Sequence, residues 1–90
     1  MKEKVGIVSV QEKDEIKALF ERKNALVELI RIIDVSNEPL YEKIVKDFGE
    51  TTAKFQNWWD EKSVYYNWKK IDNANWEINF GTCEIYLAVI

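Results

Sequence analysis

Residues 76–87 read Trp-Glu-Ile-Asn-Phe-Gly-Thr-Cys-Glu-Ile-Tyr-Leu, and their alternation of apolar and polar side chains predicts two paired β-strands. Gly81 and Thr82 would form the centre of a type II′ turn between the strands, because glycine is favoured at its first central position. In that register the inward residues are Trp76, Ile78, Phe80, Cys83, Ile85 and Leu87, and the outward residues are Glu77, Asn79, Glu84 and Tyr86. The segment is therefore expected to be a β-hairpin with one buried face.

A third strand and a first helix are predicted near the start of the chain. Residues 5–8 are rich in β-branched side chains and can extend the hairpin, which alone would be only marginally stable in water. Ser9 and Glu12 then fit a capping box, in which each side chain binds the backbone amide of the other residue. Apolar residues recur afterwards at three- and four-residue steps, which indicates an amphipathic helix from about residue 11 to about residue 34.

A second, longer helix is predicted to begin at residues 36–39, Ser-Asn-Glu-Pro, which supply turn and cap residues and a proline at the helix start. Most of its apolar residues between positions 40 and 66 fall within a band of about 140° around an ideal helix. Because the connection is short, the two helices should be antiparallel neighbours. Gly49 lies on the flank of the band, where a bend or a close backbone approach is expected.

These elements predict an α+β fold class. It consists of an N-terminal strand, a long antiparallel helical hairpin, and a C-terminal β-hairpin that forms a small antiparallel sheet packed on the helices. The chain has 90 residues, so positions 1–90 are expected to form a single domain around one core.

Charge and composition narrow the choice of partners and compartment. The net charge of −3 lacks the basic balance of a nucleic-acid-binding surface. Residues 1–6 contain no apolar run long enough for a signal peptide or a membrane span, and the single cysteine cannot form an internal disulfide. A cytoplasmic protein that binds neither nucleic acid nor membrane is therefore expected.

The residue types needed for most catalysis are scarce. The chain has no histidine, which removes Ser-His-Asp and Cys-His nucleophilic systems and histidine-based metal sites. Three scattered glycines form neither a dinucleotide fingerprint nor a phosphate-binding loop. Cys83 falls on the apolar face of the predicted hairpin, where a thiol is usually part of the core. The sequence therefore predicts a binding protein with no catalytic residues, no cofactor and no metal site.

Residues 55–68, Phe-Gln-Asn-Trp-Trp-Asp-Glu-Lys-Ser-Val-Tyr-Tyr-Asn-Trp, hold half of the protein's twelve aromatic side chains. Most of this aromatic cluster, Trp58 included, is expected to fill the core between the helices and the sheet, as aromatic stripes at helical spacing usually do. Trp68, Val64 and one face of the Tyr65 and Tyr66 pair point away from the stripe. They are expected to be exposed anchors for a partner.

Lys62 is an unusual member of the cluster, because it lies at the centre of the aromatic band. Its apolar stem is expected to cover aromatic rings while its ammonium group meets Glu12 or Glu15 of the first helix. The alternative is that the ammonium group grips an acidic peptide. The partner-binding residues predicted from the sequence are Lys62, Tyr65, Tyr66 and Trp68.

Four segments that together span nearly the whole chain carry a family resemblance. They are residues 20–26 (Phe-Glu-Arg-Lys-Asn-Ala-Leu), 40–50 (Leu-Tyr-Glu-Lys-Ile-Val-Lys-Asp-Phe-Gly-Glu), 55–60 (Phe-Gln-Asn-Trp-Trp-Asp) and 76–87. In these segments the chain resembles the small accessory proteins of Cys-x-x-x-repeat peptide modification systems. Such proteins occur with a radical S-adenosylmethionine enzyme and a cysteine-repeat precursor peptide, in pathways that modify ribosomally made peptides. The resemblance implies a non-catalytic role in which the protein binds the precursor peptide, its maturase, or both.

Two functions from different classes remain open at this point. In the first, the protein is an adaptor that presents a precursor peptide to its radical S-adenosylmethionine maturase, through either an open sheet edge or the groove beside the aromatic cluster. In the second, it is a structural or interaction protein whose helical hairpin self-associates, as in a homodimer, and it has no peptide substrate.

Overall fold

The elements follow the order strand, helix, helix, strand, strand. In the computed structural model, which describes residues 2–89, they are β1 (Lys2–Ile7), α1 (Val10–Ile32), α2 (Glu38–Tyr66), β2 (Ala74–Asn79) and β3 (Glu84–Val89). The strands form one antiparallel sheet in the order β1-β3-β2, so β3 is central and β1 and β2 are the edges. The predicted α+β fold, with a helical hairpin followed by a β-hairpin, is confirmed.

Local side-chain chemistry starts and ends helix α1. The Ser9 hydroxyl accepts a hydrogen bond from the Glu12 amide (3.1 Å), and the Glu12 carboxylate accepts one from the Ser9 amide (2.9 Å). The predicted capping box is thus confirmed, and it satisfies amides that the first turn of a helix leaves free. After α1, the Asp34 carboxylate accepts from the Ser36 amide (2.9 Å), and this turn leads to Pro39 in the first turn of α2.

Two contacts show that α1 and α2 run antiparallel. Arg22 forms a bidentate ion pair with Asp47, whose carboxylate also accepts from the buried Thr51 hydroxyl (3.0 Å). At the base of the hairpin, the Lys62 ammonium group lies 3.5 Å from the Glu12 carboxylate. Later residues of α1 therefore meet earlier residues of α2, as the predicted hairpin requires.

Gly49 lies on a solvent-facing side of α2. The residue is exposed, and an added Cβ atom there would meet no atom within 4 Å. Of the two alternatives predicted at this position, a bend or a close backbone approach, the close approach is therefore wrong, because the flank of α2 that carries Gly49 faces water instead of α1 or the sheet.

The β-hairpin has the predicted register. Ile78 pairs with Ile85. Two positions further from the turn, Trp76 pairs with Leu87. Ile85 has 0% exposure whereas Glu77 is exposed, so the predicted inward face is confirmed.

The turn of the hairpin differs from the prediction. Strand β2 ends at Asn79 and β3 begins at Glu84, so a longer loop than the expected two residues joins them. The Asn79 carbonyl oxygen accepts from the amides of Thr82 (3.2 Å) and Cys83 (2.8 Å), and the Asn79 side chain accepts from the amide of Gly81 (2.8 Å). Cys83 occupies the left-handed region (φ 63°), and Gly81 does not. The type II′ turn is therefore wrong, because Asn79 organises a wider loop by binding several of its amides.

The core lies between the inner face of the sheet and the helices. Its buried apolar residues are Val8, Ile16, Leu26, Trp58, Trp59, Trp68, Cys83, Ile85 and Leu87. The expectations that Trp58 is a core residue and that Cys83 is a buried thiol are confirmed. Across residues 2–89, no helix is long and apolar enough to cross a membrane.

Candidate functional site

A cleft runs along β2, between this strand and the two helices. Its lining residues are Ile16, Phe20, Phe55, Trp59, Trp76, Glu77, Ile78 and Phe80, and it encloses about 350 Å³. A second concavity shares Phe55, Trp59 and Trp76 with the first and adds Gln56 and Asn75. Because the two adjoin, they form one concavity along the length of β2, which we call the β2 cleft. All of its lining residues belong to α1, α2, β2 or the loop that follows β2.

The wall of the β2 cleft is mainly aromatic. The Phe20 ring lies 5.5 Å from the Phe80 ring and 6.5 Å from the Phe55 ring, measured between centroids. Phe55 in turn meets Trp59 edge-on at 6.4 Å. Phe20 remains 40% exposed although it belongs to this row of rings. The cleft therefore presents aromatic surface to solvent, and such surface suits the apolar side chains of a partner.

The edge of β2 that faces away from β3 has no strand partner within residues 2–89. Along that edge, alternate residues direct backbone N–H and C=O groups outward, as in any edge strand. The other edge strand, β1, has a register shift between Lys4 and Gly6 and carries Lys2 and Lys4. Bulges and lysines are features with which edge strands resist further pairing. β2 is therefore the edge better suited to accept another strand.

Trp68 lies in the core, so its prediction as an exposed anchor is wrong. It is 6% exposed. Its ring centroid lies between 6.0 and 6.4 Å from those of Trp58, Trp59 and Trp76. The cause is Asn67, which ends α2 in the left-handed conformation (φ 54°). The chain changes direction there, and Trp68 turns back toward the sheet instead of continuing around the helix.

The other predicted partner-binding residues differ in how far they are engaged within the chain. Lys62 and Tyr66 both bind the Glu12 carboxylate, Lys62 through its ammonium group and Tyr66 through a hydrogen bond donated by its hydroxyl. The predicted ion pair of Lys62 is confirmed, and its side chain is only 22% exposed. Tyr65, in contrast, is 78% exposed, next to the equally prominent Val64. The structure thus brings Lys62 and Tyr66 together at one carboxylate and leaves Tyr65 at the surface.

The Glu12 carboxylate is the electrostatic centre of this network. Burial raises the pKa of Glu12, but hydrogen bonds from Tyr66 and Ser9 outweigh that effect and hold the pKa below its usual value. The same hydrogen bond raises the pKa of Tyr66 from 10.0 to about 12, because a phenolate beside a carboxylate is unfavourable. The network ties the first turn of α1 to the last turn of α2.

The raised pKa of Tyr66 predicts a loss of stability at high pH. Since the folded state favours the protonated phenol, its contribution is complete below pH 10.0 and disappears as the pH rises through about 12. The free energy of unfolding is expected to fall more steeply over that interval in the wild type than in Tyr66→Phe. The chain has four tyrosines, so the midpoint of Tyr66 is obtained from the difference in phenolate absorbance between the wild type and Tyr66→Phe during an alkaline titration.

Glu12→Gln is the matched control for this titration, because glutamine can preserve the capping box while removing the charge. The variant is expected to move the midpoint of Tyr66 down toward 10.0. An unchanged midpoint would show that the carboxylate of Glu12 does not control the titration of Tyr66.

The β2 cleft combines residues that sequence reasoning treated separately. Phe55 and Trp59 come from the aromatic cluster, whereas Phe20 comes from α1 and Phe80 from the hairpin loop. The sequence predicts a groove beside the aromatic cluster, but it assigns Phe20 only to the apolar face of the first helix and Phe80 only to the inward face of the hairpin. These residues come together because the strand order places β2 at the edge of the sheet.

The β2 cleft offers apolar contacts, and the adjoining edge of β2 offers backbone hydrogen-bonding groups. Within residues 2–89, no three His, Cys, Asp or Glu side chains are grouped so that they could hold a metal ion. Comparisons with protein-family models, with curated proteins and with solved structures found no match to this chain.

Proposed function

We propose that this protein is a non-catalytic adaptor that binds an extended peptide segment as a fourth strand on the free edge of β2. One observation carries the proposal: the open edge of β2 and the aromatic wall of the β2 cleft lie side by side. In strand addition, backbone hydrogen bonds supply affinity and pockets for alternate side chains supply selectivity. An edge strand with an adjoining aromatic cleft supports this mode of binding.

The length of β2 sets the length of the bound segment. β2 has six residues. At about 3.3 Å per residue it spans roughly 20 Å, so it pairs with a segment of about six residues. Alternate side chains of the added strand would point toward the helices, where Phe20, Phe55 and Phe80 line the cleft. The remaining side chains would point to the outer face of the sheet.

The family resemblance favours the precursor peptide of a Cys-x-x-x-repeat modification system as the partner. On this proposal the adaptor holds the precursor in the cytoplasm and presents it to the radical S-adenosylmethionine maturase. Val64 and Tyr65 lie outside the lining of the β2 cleft and are 82% and 78% exposed. They are available for contact with the maturase, since exposed aromatic residues commonly anchor protein partners.

Self-association of the helical hairpin is the second candidate function. The end of α1, the connection and the start of α2 expose Ile32 (77%), Val35 (68%) and Leu40 (45%). A second copy could cover these side chains in a symmetric four-helix arrangement. The protein would then be a structural homodimer without a peptide substrate.

Selection from a phage-displayed library of random linear peptides tests the adaptor proposal. The selected peptide is resynthesised with single N-methylated backbone amides, and each version is titrated into the protein by calorimetry. N-methylation is expected to abolish binding at every second position only, because alternate residues of an added strand bond to the sheet. Loss of binding at consecutive positions, or at none, would contradict strand addition.

Phe20→Ala is the matched test on the protein. Because Phe20 lines the cleft and is 40% exposed, the variant is expected to weaken peptide binding about tenfold or more, the scale of an interface aromatic. Val64→Ala is the control and should leave the affinity unchanged. The reverse order of effects would move the site to the far end of α2. Failure to bind any selected peptide, together with dimerisation in analytical ultracentrifugation, would favour the second candidate.

A further inference from the structure

Glu77 is the one charged residue of β2, whose sequence is Ala-Asn-Trp-Glu-Ile-Asn. It lines the β2 cleft and also a shallow concavity on the outer face of the sheet, together with Asn79 and Tyr86. Asn75, Glu77 and Asn79 are exposed alternate residues of the strand. A strand added to β2 would place an outward side chain beside Glu77, at a Cβ separation of about 5 Å.

The Glu77 carboxylate keeps capacity for a further cation. Its present partner is the Lys2 ammonium group at 2.7 Å, and the two side chains are 46% and 61% exposed. An ion pair this exposed contributes little stability, and a carboxylate can accept from several donors at once. Because Lys2 belongs to β1, on the far side of β3, it reaches Glu77 from the sheet and not from the free edge.

The same carboxylate disfavours a second copy of this chain at the edge of β2. Antiparallel pairing of β2 with β2 of another copy, about a two-fold axis at Glu77, would set two Glu77 side chains opposite each other. Like charges opposite each other are destabilising, and edge charges commonly prevent edge-to-edge association. An incoming strand with a positive side chain is attracted to the Glu77 carboxylate, whereas a second copy of the chain is repelled by it. The net charge of −3 acts in the same direction.

We infer that the peptide bound at β2 carries a Lys or Arg side chain on its outward face, opposite Glu77, between apolar side chains that enter the β2 cleft. The inference rests on the proposed function of strand addition, and it adds the chemistry of the partner. The positive charge at the interface would thus belong to the peptide. It would not come from Lys62, whose ammonium group is already paired with Glu12.

Versions of the selected peptide with Lys, Ala or Glu at each outward position test this inference. Calorimetric titration at low ionic strength is carried out with the wild type and with Glu77→Lys. The wild type is expected to bind the Lys peptide about fivefold more tightly than the Ala peptide. It is expected to bind the Glu peptide about fivefold more weakly than the Ala peptide. Glu77→Lys is expected to reverse that order. Glu61→Lys makes the same change in net charge at an exposed position of α2 and should keep the wild-type order.

The outcomes separate this inference from the proposed function. An order of affinities that Glu77→Lys does not change would overturn the inference about charge, while strand addition would stand if the Ala peptide still binds. Failure of the Lys, Ala and Glu peptides alike to bind either protein would overturn the proposed function itself. Added salt should shrink the difference between the Lys and Glu peptides, and a difference that salt leaves intact would also contradict the inference.

Discussion

Replacing Trp68 by alanine is expected to lower the free energy of unfolding by about 3–5 kcal/mol, the cost of truncating a large buried aromatic side chain. Trp68 is 6% exposed. The rings around it are those of Trp58, Trp59 and Trp76 and that of Tyr66, which stacks on it with an interplanar angle of 4°. A loss of this size is a large share of the roughly 5–15 kcal/mol that stabilises a typical domain. Equilibrium unfolding in urea measures it.

Val64→Ala and Trp68→Phe are the controls for this measurement. Val64 is 82% exposed, so its truncation should change the free energy of unfolding by no more than about 0.5 kcal/mol. Trp68→Phe keeps part of the buried ring and should lie between Trp68→Ala and the wild type. If Trp68→Ala has the same urea midpoint as the wild type, the burial of Trp68 is contradicted. The prediction that Trp68 is an exposed anchor for a partner would then be restored.

Gly6→Ala is expected to cost about 1–3 kcal/mol of the free energy of unfolding, the usual range for overpacking a core. A Cβ atom on Gly6 would lie 2.5 Å from Nε1 and 2.8 Å from Cδ1 of Trp68. The Trp68 ring is enclosed by other aromatic rings and has little room to move, so β1 has to shift instead. Gly6 does not have a positive φ, which leaves this steric contact as the cause. Urea unfolding again provides the measurement.

A double-mutant cycle tests that cause. In the Trp68→Phe background the ring is smaller, so the cost of Gly6→Ala should fall well below its value in the wild type. Strictly additive costs would contradict a direct contact between the two residues and would point to a general intolerance of side chains in β1.

The parts of the fold that depend on neighbouring residues were predictable. Ser9 and Glu12 cap α1 because each side chain reaches an amide three residues away, a distance that the chain itself sets. The alternation through β2 and β3 defines the inward face of the hairpin, because a shift by one residue would bury Glu77. The pairing of Lys62 with Glu12 follows from counting turns in an antiparallel helical hairpin.

Trp68 and the edge of β2 depend on contacts that no local pattern records. The helical wheel that places Trp68 at the surface applies only while the helix continues, and Asn67 ends the helix one residue earlier. The inward face of the hairpin is the same whether β1 pairs with β2 or with β3. The pattern therefore does not say which strand is left at the edge, and the cleft that joins Phe20 to Phe80 follows only from the strand order.

The central strand of the sheet is the last of the three to leave the ribosome. β1 and β2 do not pair with each other, so neither has a partner until β3 has been made. Before that moment the nascent helical hairpin exposes the aromatic face that the sheet later covers, and such surface is prone to aggregation or chaperone capture. The pairing of Lys2 with Ala88 joins residues from distant parts of the chain, which makes closure of the sheet a late step. The β2 cleft can therefore form only after β3 has been synthesised. A nascent chain that still lacks β3 has no sheet edge with which a peptide could pair.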